Sequence, residues 1–261
     1  MQAFEQPGTL SSPQHVWRRV LLLFIVIGSL AFMLSKEPFG QNPRYHDFAD
    51  QEAFVGIPNF ADVASNIPFL LVGIAGIVFC TTDRKLSLRT AWVTLFLGVA
   101  LVAVGSIYYH LSPNSETLVW DRLPMTIGFM GLFAALLGEY VNVRLGKALL
   151  IPVALLGCAS VVYWHMFDDL RFYYWIQLVP LLTIPAVIVL FRPPHSHRWI
   201  LLVALLLYAL AKIAEANDRE VFAFTHRMLS GHTVKHLLAA LGCLALLVML
   251  KIRQPTDDES T

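Results

Sequence analysis

Long apolar runs separated by short polar breaks dominate the chain. The runs are Val16 to Leu34, Ala61 to Cys80, Thr90 to His110, Asp121 to about Val141, about Ala148 to His165, about Phe172 to Phe191, Trp199 to about Ala214, and His232 to Lys251. About 20 apolar residues cross a bilayer as a helix, and roughly 17 is the lower limit. The pattern therefore predicts eight membrane-spanning helices. Pro180 and Pro185 predict a kink in the sixth. The first run carries the basic flank of a signal peptide (His15, Arg18, Arg19), but it is long for one and no small-x-small cleavage site follows. It reads as an uncleaved span.

The breaks complete the division. Residues 1–15 are a polar tail, 16–34 the first span, 35–60 the longest loop, 61–251 a seven-helix core, and 252–261 a second polar tail. Residues 215–230 read as a polar loop.

Composition agrees with the pattern. Hydrophobic residues make up 57% of the chain and charged residues 14%, against about 25% charged in an ordinary soluble domain. The expected fold class is an all-α integral membrane protein. Net charge is +1, which gives no bulk electrostatic attraction for nucleic acid. Cys80, Cys158 and Cys243 all lie in apolar runs and read as buried packing residues, with neither disulfide nor metal-site spacing. No internal repeat is visible, so an inverted-repeat transporter is not supported.

Charge sets the orientation. Loops on one side carry Arg18, Arg19, Arg84, Lys85, Arg89, Arg144, Lys147, Arg192, Arg198, Lys251 and Arg253; those on the other carry Lys36, Arg44, Arg122, Arg171, Arg219 and Arg227. The positive-inside rule places the richer side, with both termini, in the cytoplasm. The compact chain is expected in a bacterial inner membrane.

In this topology the polar residues within the spans gather at one leaflet. Ser106 and His110 close the third span, Asp121 opens the fourth, His232 and His236 open the eighth, and Asn59, Asp62, Ser65 and Asn66 open the second. All lie at the non-cytoplasmic end. Ionisable groups at membrane depth are costly and mark function by default. Histidines four apart share a helix face, so His232 and His236 can take one ion and His110 can complete a trio. Three neutral imidazoles with a fourth position left to water form an open catalytic zinc site. Zinc lowers the pKa of bound water to about 7 and polarises a carbonyl. Asp121 is placed to accept the water proton and pass it to the leaving group. Ser106 shares the face of His110 and can donate to a developing oxyanion. Lys235 is about 100° round the helix from His236 and is expected to point away from the metal.

Each residue alone has a plainer reading. His110 suits a hydrogen-bonded helix end, Ser106 a bond to its own helix carbonyl, and Asp121 a helix N-cap. His165, His195, His197 and His226 read as solvated or interfacial.

Ser106-x-x-x-His110 ending one span, Asp121 opening the next and His232-x-x-x-His236 in the last resemble the alkaline ceramidase family. That family belongs to a superfamily of seven-span metallohydrolases that includes the adiponectin and progestin receptors. Asn59-Phe-Ala-Asp-Val-Ala-Ser-Asn66 extends the resemblance, which covers roughly Asp47 to Lys251 and leaves the first span as an addition. It implies zinc on His110, His232 and His236, with Asp121 and Ser106 assisting hydrolysis of a lipid amide such as ceramide. It also implies a calcium region at Asp47, Asp50, Glu52, Asn59 and Asp62. Here Asn59 stands where the family has a carboxylate, and the dense acidic, Trp-containing run is missing. Both departures argue against calcium and leave a solvated acidic loop as the alternative. Two other functions stay open: a receptor-like or lipid-binding member with little turnover, and a membrane protein with haem on intramembrane histidines.

Overall fold

The computed structural model describes residues 16–256. The tail at 1–15 and the end of the second tail, 257–261, lie outside the described residues. Ten α-helices follow in order: α1 (Val16–Leu34), α2 (Phe60–Ala64), α3 (Ile67–Thr82), α4 (Arg89–Leu111), α5 (Ser115–Tyr140), α6 (Val143–Phe167), α7 (Arg171–Leu190), α8 (Ile200–Ala216), α9 (Asp218–Phe224) and α10 (Gly231–Ile252). A 3-10 turn, Pro43–His46, sits in the long first loop. In lipid every backbone N–H and C=O must be satisfied within the protein, and helices do this locally.

Among the described residues seven segments are long and apolar enough to cross a membrane, counting α2 and α3 as one span. An eighth arises from α8 and α9 taken together, a pair bent by 86° at Asn217. The chain is thus a multi-pass membrane protein built as a helical bundle.

α1 stands at the edge of the bundle. Leu22 is its one buried residue, and it packs on α7, where Trp175 Nε1 donates to Ser29 Oγ at 3.2 Å and to the Val26 carbonyl at 3.3 Å. The most extensive of the other contacts run α3 on α4, α4 on α5, α5 on α6 and α7, and α8 and α3 on α10.

α4 and α5 come into backbone contact. Pro124 lies inside α5 and has no N–H, so the Trp120 carbonyl loses its intrahelical donor. A Cβ on Gly105 of α4 would run into that same carbonyl. Glycine is therefore required at this crossing, as small residues are wherever membrane helices come into backbone contact.

Several element ends differ from the sequence reading. α5 begins at Ser115, six residues before Asp121, because Asn114 and Thr117 form a reciprocal capping box: the Thr117 N–H donates to Asn114 Oδ1 at 2.9 Å. Asp121 is therefore not an N-cap; it lies in the second turn. α6 starts at Val143, capped by Asn142. α8 runs past Glu215 to Ala216, and most of the expected polar loop 215–230 is helix α9 and its flanks. The second span is broken: α2 ends at Ala64, and α3 restarts with Pro68 in its first turn.

Candidate metal centre

Four helix ends meet at one end of the bundle. The break between α2 and α3 turns Ser65 and Asn66 inward, and both side chains donate to the Asp62 carbonyl, at 2.9 and 2.7 Å. Asp62 Oδ1 in turn accepts from Thr233 Oγ1 at 2.7 Å and Ser230 Oγ at 3.3 Å. Ser230 also caps α10 by accepting the Thr233 N–H at 2.9 Å. The start of α10 is thereby bolted to α2. Gly231 is required at this point, because a Cβ there would meet the Ala214 carbonyl of α8.

α10 then presents His232 and His236, and α4 presents His110. All three are buried, and one donor atom from each lies within 4.8 Å of the other two. Among the described residues this is the single group of three or more His, Cys, Asp or Glu side chains that meets that distance. Ring centroids are 4.9 Å apart for His110–His232, 5.1 Å for His110–His236 and 4.8 Å for His232–His236. Phe48 from the first loop closes the trio on one side, 4.4 Å from His232 and 4.8 Å from His110.

The hydrogen bonds around these rings fit a metal ion. Both ring nitrogens of His110 are buried without a partner, which a lone imidazole would pay for in desolvation. His236 Nδ1 lies 2.8 Å from Ser65 Oγ. That hydroxyl already donates to the Asp62 carbonyl, so it accepts from Nδ1–H. This assigns the tautomer from the network and leaves Nε2 with a free lone pair, the usual outer-shell arrangement of a ligating histidine. The Asn59 side chain donates to the His110 carbonyl at 2.8 Å and steadies the end of α4. The three histidines could therefore hold a metal ion.

Ser106 and Asp121 line the adjoining cavity together with His236. Ser106 Oγ is buried with no hydrogen-bond partner. It does not bond back to its own helix.

Asp47, Asp50 and Glu52 stand apart from the trio. Asp47 pairs with Arg219 at 2.6 Å and Glu52 with Arg227 at 3.3 Å, both at the surface. Asp50 is buried and accepts the Glu52 N–H at 2.9 Å. Asn59 and Asp62 act as backbone and helix anchors, as described.

One sequence expectation is overturned. Lys235 does not point away: it lines the cavity, with Nζ 3.1 Å from His232 Nε2 and 2.9 Å from Glu215 Oε1. Residue 235 is three after 232, and residues three apart on a helix share a face. Glu215 also pairs with Lys212 and accepts from the Tyr45 hydroxyl at 3.0 Å. Burial pushes the Tyr45 hydroxyl well above its ordinary pKa and keeps it a donor. Asp218 was likewise not foreseen. Its Oδ1 accepts the His232 N–H and its Oδ2 accepts the Ala49 N–H, each at 2.7 Å.

The polar cavity, about 690 Å³ counting its open side, continues into a second of about 800 Å³. Phe69, Val102, Met125, Tyr208 and Ala239 line both. The second chamber is almost wholly apolar, walled by residues such as Leu95, Phe129 and Leu246.

No curated protein matches the chain. The family model described as Ceramidase matches residues 53–261, more than half of the chain and every helix from α2 to α10. A buried three-histidine centre at the mouth of an apolar chamber, inside a membrane bundle that matches this model, leads to one conclusion: the chain belongs to the ceramidase family, hydrolases that act on lipid amides.

Proposed function

We propose that the protein is a zinc-dependent hydrolase that cleaves the amide bond of a membrane lipid such as ceramide with an activated water. The observation that carries this reading is the buried trio His110, His232 and His236, whose donor atoms lie within 4.8 Å of one another beside Asp121 and Ser106. Zinc suits three neutral imidazoles with a position left open, and when bound it supplies a water acidic near neutral pH and a polarised carbonyl.

The chain's own groups do the rest. The apolar chamber takes the acyl chain, and the scissile amide rests at its polar mouth. Ser106 Oγ, buried beside Asp121, donates to the amide oxygen as negative charge builds there. Asp121 removes a proton from the attacking water. As the C–N bond breaks, it returns that proton to the departing nitrogen, so the products are a fatty acid and an amine. In the orientation read from the Lys and Arg distribution, this chemistry faces the non-cytoplasmic leaflet, with both termini in the cytoplasm.

The test is metal analysis joined to turnover. Purified protein is expected to hold about one zinc per chain and to release fatty acid from ceramide. His236→Ala is expected to lose the metal. Asp121→Ala is expected to keep it and lose turnover. Full activity in metal-free protein overturns the proposal, and full zinc occupancy without turnover of any lipid amide or ester favours the receptor-like alternative.

A further inference from the structure

Arg122 is 3% exposed and lines the polar chamber next to Asp121. Its guanidinium is clamped face-on by aromatic rings, 4.0 Å from Trp164, 4.7 Å from Tyr173 and 5.8 Å from Tyr45. One edge is used: Nη2 donates to the neutral amide oxygen of Gln41 at 2.5 Å. Nη1 is buried with no hydrogen-bond partner. Stacking holds the plane of a guanidinium but does not satisfy its N–H groups, which lie at the edge.

Three other cations of low exposure have carboxylate partners, and Arg198 donates to the Ile188 and Phe191 carbonyls. Arg171 pairs with Asp169, Arg253 with Glu139 and Lys235 with Glu215. Arg122 forms no ion pair among the described residues. The chamber's lining carries Arg122, Lys212 and Lys235 against Asp121 and Glu215, and Glu215 alone engages both lysines. The lining is thus net positive, and Arg122 is the cation on it with no carboxylate in ion-pair range and a rigid donor edge unpartnered. A buried, unpaired charge is costly, and a guanidinium edge is matched best by an oxyanion.

We propose that the polar chamber recognises an acidic group on the amine half of the substrate, so that the preferred lipid amide carries a carboxylate or phosphate within reach of Arg122 Nη1. This rests on the hydrolase reading for its chemistry, since the acyl half lies in the apolar chamber and leaves the polar one to the amine half. Arg122 is a binding residue, and the pair it forms exists only with substrate present.

The experiment uses the full chain loaded with zinc in zwitterionic vesicles, so that surface charge does not sort the lipids. Three substrates share one acyl chain: ceramide, ceramide 1-phosphate and an N-acyl amino acid. An acidic substrate is expected to exceed ceramide in kcat/KM by about tenfold or more, the scale of one well-made charged hydrogen bond, and the two acidic arms tell phosphate from carboxylate. Arg122→Gln is expected to bring the ratio close to one, and Arg122→Lys to keep part of it, because the charge remains while the planar fork is lost. Melting temperature separates loss of fold from loss of recognition. A wild-type preference for ceramide, or a ratio unchanged in Arg122→Gln, overturns the proposal. Should the wild type cleave none of the three, the hydrolase reading fails on its own. Displacement of a bound fluorescent fatty acid by each lipid then decides the matter: tighter binding of acidic lipids that Arg122→Gln abolishes supports the site, and equal affinities refute it.

Discussion

Ser65 Oγ lies 2.8 Å from His236 Nδ1 and donates onward to the Asp62 carbonyl at 2.9 Å. The relay holds one tautomer of His236 and aims its other nitrogen at His110 and His232. Ser65→Ala removes the relay without touching a proposed ligand. Outer-shell changes of this kind cost about 10–100-fold in metal affinity. Titration against a competing chelator is expected to show a loss in that range, and unchanged affinity would mean the relay does not orient the ring.

Lys235 and Glu215 form a partly buried ion pair beside His232. Removing either partner unbalances the charge at the centre, in opposite directions. Lys235→Gln is expected to tighten metal binding and Glu215→Gln to weaken it, each on the order of tenfold for one unit charge a few ångströms away in a partly screened site. The same chelator titration reads both, and a shift of equal sign in the two variants contradicts the pairing.

Asp121 and Ser106 line the cavity without contributing to the histidine trio. Asp121→Asn keeps size and removes the base, with an expected loss of about 10²–10⁴ in kcat. Ser106→Ala is expected to lose about 10²–10³. Zinc content measured on the same samples is expected to be unchanged, which separates proton transfer and oxyanion binding from metal loss.

Gly105 meets the Trp120 carbonyl across the α4–α5 crossing. Gly105→Ala forces the helices apart just where Ser106 and Asp121 follow in sequence. Overpacking of this sort costs about 1–3 kcal/mol, measurable as a lower melting temperature in detergent. Activity is expected to fall further than stability alone explains, because the two side chains separate.

Asp169 sits between α6 and α7 and accepts from the Arg171 side chain at 2.7 and 3.0 Å. Hydrogen bonds from Arg171 hold its carboxyl below the usual range. A depressed folded pKa contributes stability that is present above the unfolded value of about 3.9 and is lost as pH falls through the folded value. Asp169→Asn is therefore expected to lower the melting temperature at pH 7 and to converge on the wild type in strong acid. A gap that is constant with pH would show that the ion pair contributes nothing.

The spans were legible because lipid demands long apolar helices, and the His-x-x-x-His spacing was legible because a helix brings every fourth residue onto one face. What was missed depends on neighbours across space. Lys235 was judged against His236, its sequence neighbour, when the relevant partner was His232, three residues back on the same face. Glu215 looked like loop because its charge ended an apolar run. Its ion pairs with Lys212 and Lys235 are what let the helix continue. The start of α5 was written in Asn114 and Thr117, a capping box whose third position holds Thr in place of the commoner Glu or Gln. Asp218 and Arg122 carry no local signal: the first is aimed by the 86° bend after α8, the second by aromatic rings from α6, α7 and the first loop.

The two oxygens of Asp218 reach in different directions, one to the backbone of His232 and one to the backbone of Ala49. Ala49 neighbours Phe48, the ring that covers the histidines. A single carboxylate thus serves as hinge pin for both the cover and the clasp beneath it. The segment over the centre cannot swing aside without also slackening the helix turn that presents His232. Whatever moves the covering ring is therefore felt in the turn that carries His232, through the two oxygens of one side chain.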